Sequence, residues 1–138
     1  MKMTLHKSPR RRGFTLMELL LVLAIIGLLM GGVAVGYSSI MDNARATKAE
    51  ANIGTIQALI LQYTAKFKQP PPASVGLRAL ITKNITSDED LFIDPWGEPV
   101  VYKVPATRSK DKFDVFSKGK NKIEGDDDDI GNWSVTAP

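Results

Sequence analysis

The chain has 138 residues, a formal net charge of +3, no cysteine and one histidine. The lack of cysteine excludes disulfides, thiolate metal sites and thiol nucleophiles. The histidine, His6, and five of the 18 basic side chains lie in the first 13 residues, which contain no acid, so the remainder is net acidic. This distribution argues against an imidazole-based enzyme and against nucleic acid as a partner of the main body.

The N-terminal region joins a basic block to a long apolar run, "RRRGFTLMELLLVLAIIGLLMGG", which starts at Arg10. No charge occurs between Leu19 and Gly36. A helix over residues 14–37 would be about 36 Å long, enough to cross a hydrocarbon layer of about 30 Å. The basic block predicts that the N-terminus stays cytoplasmic and that the rest of the chain crosses the membrane.

A cleaved secretory signal peptide is the alternative interpretation of this region. "AVGY" places small residues at the −3 and −1 positions of a cut after Gly36. The apolar run is longer than the roughly 7 to 15 residues of a signal-peptide core, and the acidic Glu18 lies within it. Both features favour a membrane span that the mature protein keeps.

The stretch "RRRGFTLMELLLVLAIIG" resembles the class III signal of type IV pilins and pseudopilins. In that signal a basic leader ends in glycine, here Gly13, the next residue is Phe14, and a glutamate, Glu18, is fifth after the cut. The resemblance implies removal of residues 1–13 by a prepilin peptidase, N-methylation of Phe14, and assembly into a filament.

Glu18 is the residue that this interpretation must explain, because an ionised acid at the centre of a membrane helix costs about 2.5 to 3.5 kcal/mol. In a bundle of identical spans, the carboxylate of Glu18 can meet the α-amino group of Phe14 on a neighbouring subunit. A misaligned subunit then leaves a charge unpaired, so the pair would set the register of assembly. The alternative is that Glu18 extends to the cytoplasmic interface.

An amphipathic pattern follows the apolar run over residues 38–68. Its apolar positions are spaced by three and four residues, which predicts one face of a helix: Ile53, Ile56, Ile60, Tyr63 and Phe67. We expect this stem helix to run from the membrane to about Lys68, because the prolines at 70–72 cannot continue a helix.

Three glycines, Gly31, Gly32 and Gly36, interrupt the best helix-forming part of the chain. Each costs roughly 1 kcal/mol relative to alanine in a helix interior. Small residues allow close packing of membrane helices, and they also allow a helix to loosen when a subunit leaves the bilayer. The sequence leaves both interpretations open.

Residues 69–138 predict a small globular part. Apolar spacing indicates a short helix over 73–84, and β-rich segments at 100–104 and 112–117 indicate two strands. The predicted fold is α+β: a long N-terminal helix, membrane-spanning and then amphipathic, packed on a small domain with a short helix, a few antiparallel strands and an acidic C-terminal loop. A domain of about 70 residues buries a small core, so its stability is marginal unless a cross-link or a bound metal ion adds to it.

We predict that the acidic loop at residues 117–133 supplies this additional stabilisation. Four consecutive aspartates repel one another, yet they are followed by Ile130 and Trp133, which favour burial. A bound cation would neutralise the acids, and an all-oxygen ligand set without histidine or cysteine favours calcium. The spacing does not match an EF-hand loop.

Three further stretches extend the resemblance from the pilin-like class to one family. The stretches "DPWGEPVVYKV", "FDVFSKG" and "DDIGNW" resemble motifs of the major pseudopilins of type II secretion systems. The resemblance implies one calcium ion, held by the ligands that match that family: the carbonyls of Lys118 and Asp126, the side chain of Asn121, and the carboxylates of Asp128 and Asp129. Because Asn121 replaces the usual aspartate, we expect a weakened site. The alternative is an ion-free loop held by lysine–aspartate pairs.

The resemblance implies a structural subunit, not an enzyme, that polymerises with copies of itself into a periplasmic pseudopilus. It also implies minor pseudopilins, an inner-membrane assembly platform and the prepilin peptidase as partners, and a single-pass inner-membrane location with a periplasmic C-terminal domain. No phosphate-binding loop is found. A type IV pilin, a minor pseudopilin, and a membrane-anchored periplasmic enzyme or calcium-binding module are the alternatives.

Overall fold

The computed structural model describes residues 13–134, except for the side chains of 33–36. The predicted leader, residues 1–13, therefore lies outside the described residues apart from Gly13. The elements in chain order are helix α1 (Leu16–Phe67), helix α2 (Arg78–Thr82), a 3-10 helix (Asp90–Phe92) and strands β1 (Val101–Lys103), β2 (Asp114–Ser117) and β3 (Ile130–Gly131). The chain separates into two compact units between Ser39 and Ile40.

The first unit contains the N-terminal part of α1. The helix begins at Leu16 because the Thr15 side chain caps it: the Glu18 N–H donates to Thr15 Oγ1 at 3.2 Å. The helical assignment continues through Gly31 and Gly32. Among the described residues, α1 is the one helix whose length and composition would allow it to cross a membrane.

The second unit buries the apolar face of the C-terminal part of α1. Ile53, Ile56 and Ile60 are at most 1% exposed and Tyr63 is 7% exposed, which confirms the predicted spacing. The prediction is wrong for Phe67, which is 37% exposed at the last residue of the helix. The helix ends there because Lys68 takes a left-handed φ of 66°, just before the prolines.

A three-stranded antiparallel sheet in the order β1-β2-β3 completes the fold. Val101 pairs with Phe116, and Phe116 pairs with Gly131 on its other side. Phe113 and Val115 join the core formed by the α1 face and by apolar residues from α2 and the flanking loops. The α+β prediction is confirmed, whereas β3 was not predicted, because two residues carry too little periodicity to indicate a strand.

The second helix is shorter than predicted. The apolar pattern predicts a helix over 73–84, but α2 covers only Arg78–Thr82. Gly76 has a φ of +63°, which lies outside the right-handed helical region and delays the start. Accordingly, Val75 is 48% exposed, whereas Leu80 is fully buried.

Candidate metal-binding loop and N-terminal assembly segment

The predicted processing and assembly residues lie at the start of α1. Phe14 is 77% exposed, and Gly13, Phe14, Thr15 and Glu18 line one open depression. Glu18 lies in the first helical turn, where the partial positive charge of the helix N-terminus favours a carboxylate. Within residues 13–134, no basic side chain forms an ion pair with Glu18.

The predicted calcium loop leaves β2 at Ser117 and enters β3 at Ile130. The two ends of the loop approach each other closely where Gly119 contacts Asp128, and Gly119 has a φ of +67°. A Cβ atom at this position would lie 2.2 Å from the Asp128 carbonyl oxygen. Glycine is therefore required both for the backbone conformation and for the close approach of Asp128.

Three of the predicted ligand residues are connected by hydrogen bonds within the loop: Asn121 and Asp128, predicted to bind through their side chains, and Asp126, predicted to bind through its carbonyl. Asp128 Oδ2 accepts the Asn121 N–H at 2.9 Å, and Asn121 Nδ2 donates to Asp126 Oδ2 at 2.6 Å. Asp126 Oδ1 in turn accepts the Asp128 N–H at 3.0 Å. With Lys120 and Asp127, these three residues line an open depression.

The third predicted ligand side chain, that of Asp129, is in a different environment. Its side chain is 0% exposed, and its Oδ2 accepts hydrogen bonds from Arg108 Nη1 at 2.6 Å and from the Gly125 N–H at 2.9 Å. Its Oδ1 is buried without a hydrogen-bond partner. An unsatisfied buried carboxylate oxygen is costly, and an oxygen in this condition is chemically suited to a metal ion.

The donors in this loop fit a hard cation in chemical type. They are carboxylate, amide and main-chain oxygens, and Asp129 adds one oxygen that no protein group uses. Within residues 13–134, no three histidine, cysteine, aspartate or glutamate side chains form a metal-binding group. A cation in this loop would therefore depend on the amide oxygen of Asn121 and on main-chain carbonyls such as those of Lys118 and Asp126.

The loop lysines form their ion pairs outside the aspartate run. Lys118 and Lys122 reach Glu98 at 3.8 and 3.0 Å, and Lys120 reaches Asp42 of α1 at 2.6 Å. None of the three pairs with an aspartate of residues 126–129 in the described structure. The predicted lysine–aspartate pairs are therefore not the contacts that hold this part of the loop.

Asp94, in the "DPWG" turn, positions the start of the loop. Its Oδ1 accepts the N–H groups of Trp96 and Glu98 at 3.0 and 2.8 Å. Its Oδ2 accepts the Ser117 hydroxyl at 2.6 Å, and the Ser117 oxygen accepts the Gly119 N–H at 3.1 Å. The turn is thereby connected to the glycine that approaches Asp128.

Asp114 is a structural residue that the sequence analysis missed. It lies in β2, whose four residues are all buried, so both faces of this strand lie inside the fold. Asp114 accepts the N–H groups of Thr107, Arg108 and Ser109 at 2.6, 3.0 and 2.8 Å. An acid inside an otherwise apolar strand, "FDVF", is the sequence signal that could have revealed it.

The pKa of Asp114 reflects two opposing effects. Burial of the carboxyl, which is 1% exposed, raises its pKa, but the hydrogen bonds from the backbone and side chains of Thr107 and Ser109 together outweigh burial. The net result lowers the pKa of Asp114 from 3.8 to about 2. The ionised carboxylate therefore holds the loop that carries Arg108.

The architecture and the N-terminal motif define a type IV pilin-like protein: an apolar helix begins just after Gly13 and Phe14, and its later part packs on a small antiparallel sheet. A crystal structure of the major pseudopilin from the type 2 secretion system of enterohaemorrhagic Escherichia coli has a similar fold. The TM-score is 0.62 at 24% identity, over 72% of this chain and 91% of that chain.

Two family profiles match the sequence. The prokaryotic N-terminal methylation motif matches residues 8–34, and type II secretion system protein G matches residues 37–133. The type II secretion system core protein G of Pseudomonas aeruginosa is 36% identical over 90% of this chain and 96% of its own length. That of Klebsiella michiganensis is 32% identical over 94% and 98%.

The chain belongs to the type II secretion system protein G family, the major pseudopilins of the secretion machinery. Members of this family are structural and non-enzymatic, and membership implies polymerisation and partners within that machinery. The N-terminal apolar helix is consistent with anchoring in the inner membrane.

Proposed function

We propose that this chain is processed, anchored in the inner membrane and then polymerised into a periplasmic pseudopilus whose growth drives protein export. The observation that carries the proposal is the start of α1: Gly13 and Phe14 stand directly before a helix with exposed apolar side chains. Phe14 and Leu28 are 77% and 79% exposed. Lipid or neighbouring subunits would cover such a surface.

Processing would remove residues 1–13 through a prepilin peptidase and methylate the new N-terminus at Phe14. Residues 14–37 would then span the membrane, residues 38–68 would form the periplasmic stem, and residues 69–138 the periplasmic domain. Mass spectrometry of the mature N-terminus tests this order. We expect a methylated Phe14, whereas a mature chain that starts at Tyr37 would identify a cleaved signal peptide.

Assembly would depend on Glu18 pairing with the α-amino group of Phe14 on a neighbouring copy. Two observations support this role: Glu18 has no ion-pair partner within residues 13–134, and it shares one depression with Phe14. An unpaired charge in lipid is costly, so correct register would be favoured over misalignment. Minor pseudopilins and the inner-membrane platform would act on the same exposed helix during assembly.

The loop at residues 117–133 would bind one calcium ion through the carbonyls of Lys118 and Asp126, the amide oxygen of Asn121, and the carboxylates of Asp128 and Asp129. The buried, unpartnered Oδ1 of Asp129 supports this assignment. The ion would supply positive charge to an acidic run. The chain itself supplies the geometry, through the Gly119 approach to Asp128 and the bond from the Asn121 N–H.

A further inference from the structure

Arg108 lies beside the acidic loop although it belongs to a distant part of the sequence. Its Nη1 is 2.6 Å from Asp129 Oδ2, and its guanidinium carbon is 4.1 Å from the ring centroid of Trp133. The Asp129 side chain is 0% exposed, whereas that of Arg108 is 39% exposed. A positive charge is therefore held against the one fully buried carboxylate of the aspartate run.

This arrangement is fixed from both sides. The backbone N–H of Arg108 donates to Asp114 Oδ2 at 3.0 Å, within the hydrogen-bond set that orders this loop. The Trp133 ring under the guanidinium packs on Phe116 of β2, with ring centroids 5.3 Å apart. The ion pair is thus anchored to the sheet, unlike a typical mobile pair at the surface.

The energetics require such a charge when no metal ion is bound. A buried carboxylate without a compensating charge costs several kcal/mol, and its three neighbours in sequence are also acidic. The loop lysines are paired with Glu98 and Asp42 and do not reach Asp129. In the described structure, Arg108 is the cation that neutralises this carboxylate.

We propose that Arg108 is a resident counter-cation that positions Asp129 and stabilises the metal-free loop. Arg108 occupies Oδ2 and leaves Oδ1 without a protein partner, so the carboxylate keeps one oxygen for an ion. Where calcium is concerned, this inference rests on the proposed calcium site. Because two cations at one carboxylate repel each other, Arg108 would favour the metal-free loop over the loaded one, and linkage then requires that it weakens calcium binding.

The test compares Arg108→Gln with Lys110→Gln in the full-length chain in detergent micelles. Lys110 is an exposed cation two residues away that forms no ion pair within residues 13–134, so it is a matched control. Thermal unfolding is followed by tryptophan fluorescence, in EDTA and in saturating calcium. For Arg108→Gln we expect the Tm to fall by about 5 °C or more in EDTA and by less than half as much in calcium.

Calorimetry gives the second readout, for which we expect calcium to bind Arg108→Gln about ten-fold more tightly than the unchanged chain. An equal loss of Tm with and without calcium would show that Arg108 is only a packing residue, and no loss in EDTA would equally overturn the proposal. Should Arg108→Gln not fold, Arg108→Met, which also removes the charge but keeps a long aliphatic side chain, replaces it under the same two criteria.

A chain that does not respond to calcium would refute the calcium site and leave the role of Arg108 to a separate measurement. That measurement is a double-mutant cycle of Arg108→Gln with Asp129→Asn in EDTA. A coupling between the two changes supports the counter-cation role, because the pair then acts as one unit. Strictly additive effects overturn it.

Discussion

The two units of this chain use helix α1 in opposite ways. In the first unit its apolar side chains are exposed, as Leu28 shows at 79%, whereas in the second unit Ile56 and Ile60 are 0% exposed. The chain supplies its own cover, a three-stranded sheet and α2, only for the second part. The exposed apolar side chains of the first part agree with the proposal that lipid or other subunits cover it.

The acidic side chains show the same difference. Asp114 is buried among hydrogen-bond donors from its own chain, and Asp129 accepts such donors at Oδ2, while Glu18 has no ion-pair partner within residues 13–134. A carboxylate satisfied inside the fold contributes to stability, and its loss should be seen in unfolding. If Glu18 acts in assembly, as we propose, its loss should be seen only in the polymer.

The largest expected effect is that of Glu18→Ala, which should impair assembly without changing the stability of the fold. Glu18→Ala should leave membrane insertion and processing intact and lower filament yield at least about ten-fold, because a lost register pair is worth several kcal/mol. Filaments are counted by cross-linking and electron microscopy, with Glu50→Ala, an exposed acid further along α1, as the control. Normal filament yield from Glu18→Ala would remove the register argument.

The next largest effect is the contribution of Asp114 to the stability of the second unit at low pH. The folded-state pKa of Asp114, about 2, lies below its ordinary value of 3.8, so the unfolded chain takes up the proton first. The stability that Asp114 contributes is therefore complete above about pH 4 and is lost as the pH falls toward 2.

Unfolding midpoints measured between pH 6 and pH 2 check this contribution. Asp114→Asn should be less stable at pH 6 and should lose less stability on acidification than the unchanged chain. Glu89→Ala, which changes an exposed acid, should follow the unchanged chain. Parallel pH profiles for Asp114→Asn and the unchanged chain would show that Asp114 does not carry the acid sensitivity.

The smallest effect is the response to calcium. Calcium should raise the Tm of the full-length chain by about 4 to 8 °C, equivalent to about 1 kcal/mol, and Asp128→Ala should abolish this shift. Asp127→Ala is the matched control, because Asp127 is not among the proposed ligands although it lines the same depression. An unchanged chain with the same Tm in calcium and in EDTA would contradict the metal site.

Several features of this protein are determined by local sequence alone. The apolar run, the three- and four-residue spacing of Ile53, Ile56 and Ile60, and the prolines after Lys68 predict α1 and its end correctly. The motif at Gly13, Phe14 and Glu18 indicates the type IV pilin-like class, since its residues are close in sequence and need no tertiary contact. The metal ligands within residues 118–129 are implied by the resemblance to the family, and they stay a prediction.

Only the tertiary structure decided how the acidic loop is held. The short strand β3 and the pairing of Arg108 with Asp129 each join residues that are far apart in sequence. The carboxylate of Asp114 is held by the loop at residues 107–109. No repeating spacing of residues in the sequence indicates such contacts, because they depend on which loops the sheet brings together. Helical periodicity is encoded within a few residues, whereas the partner of a buried charge depends on the tertiary structure.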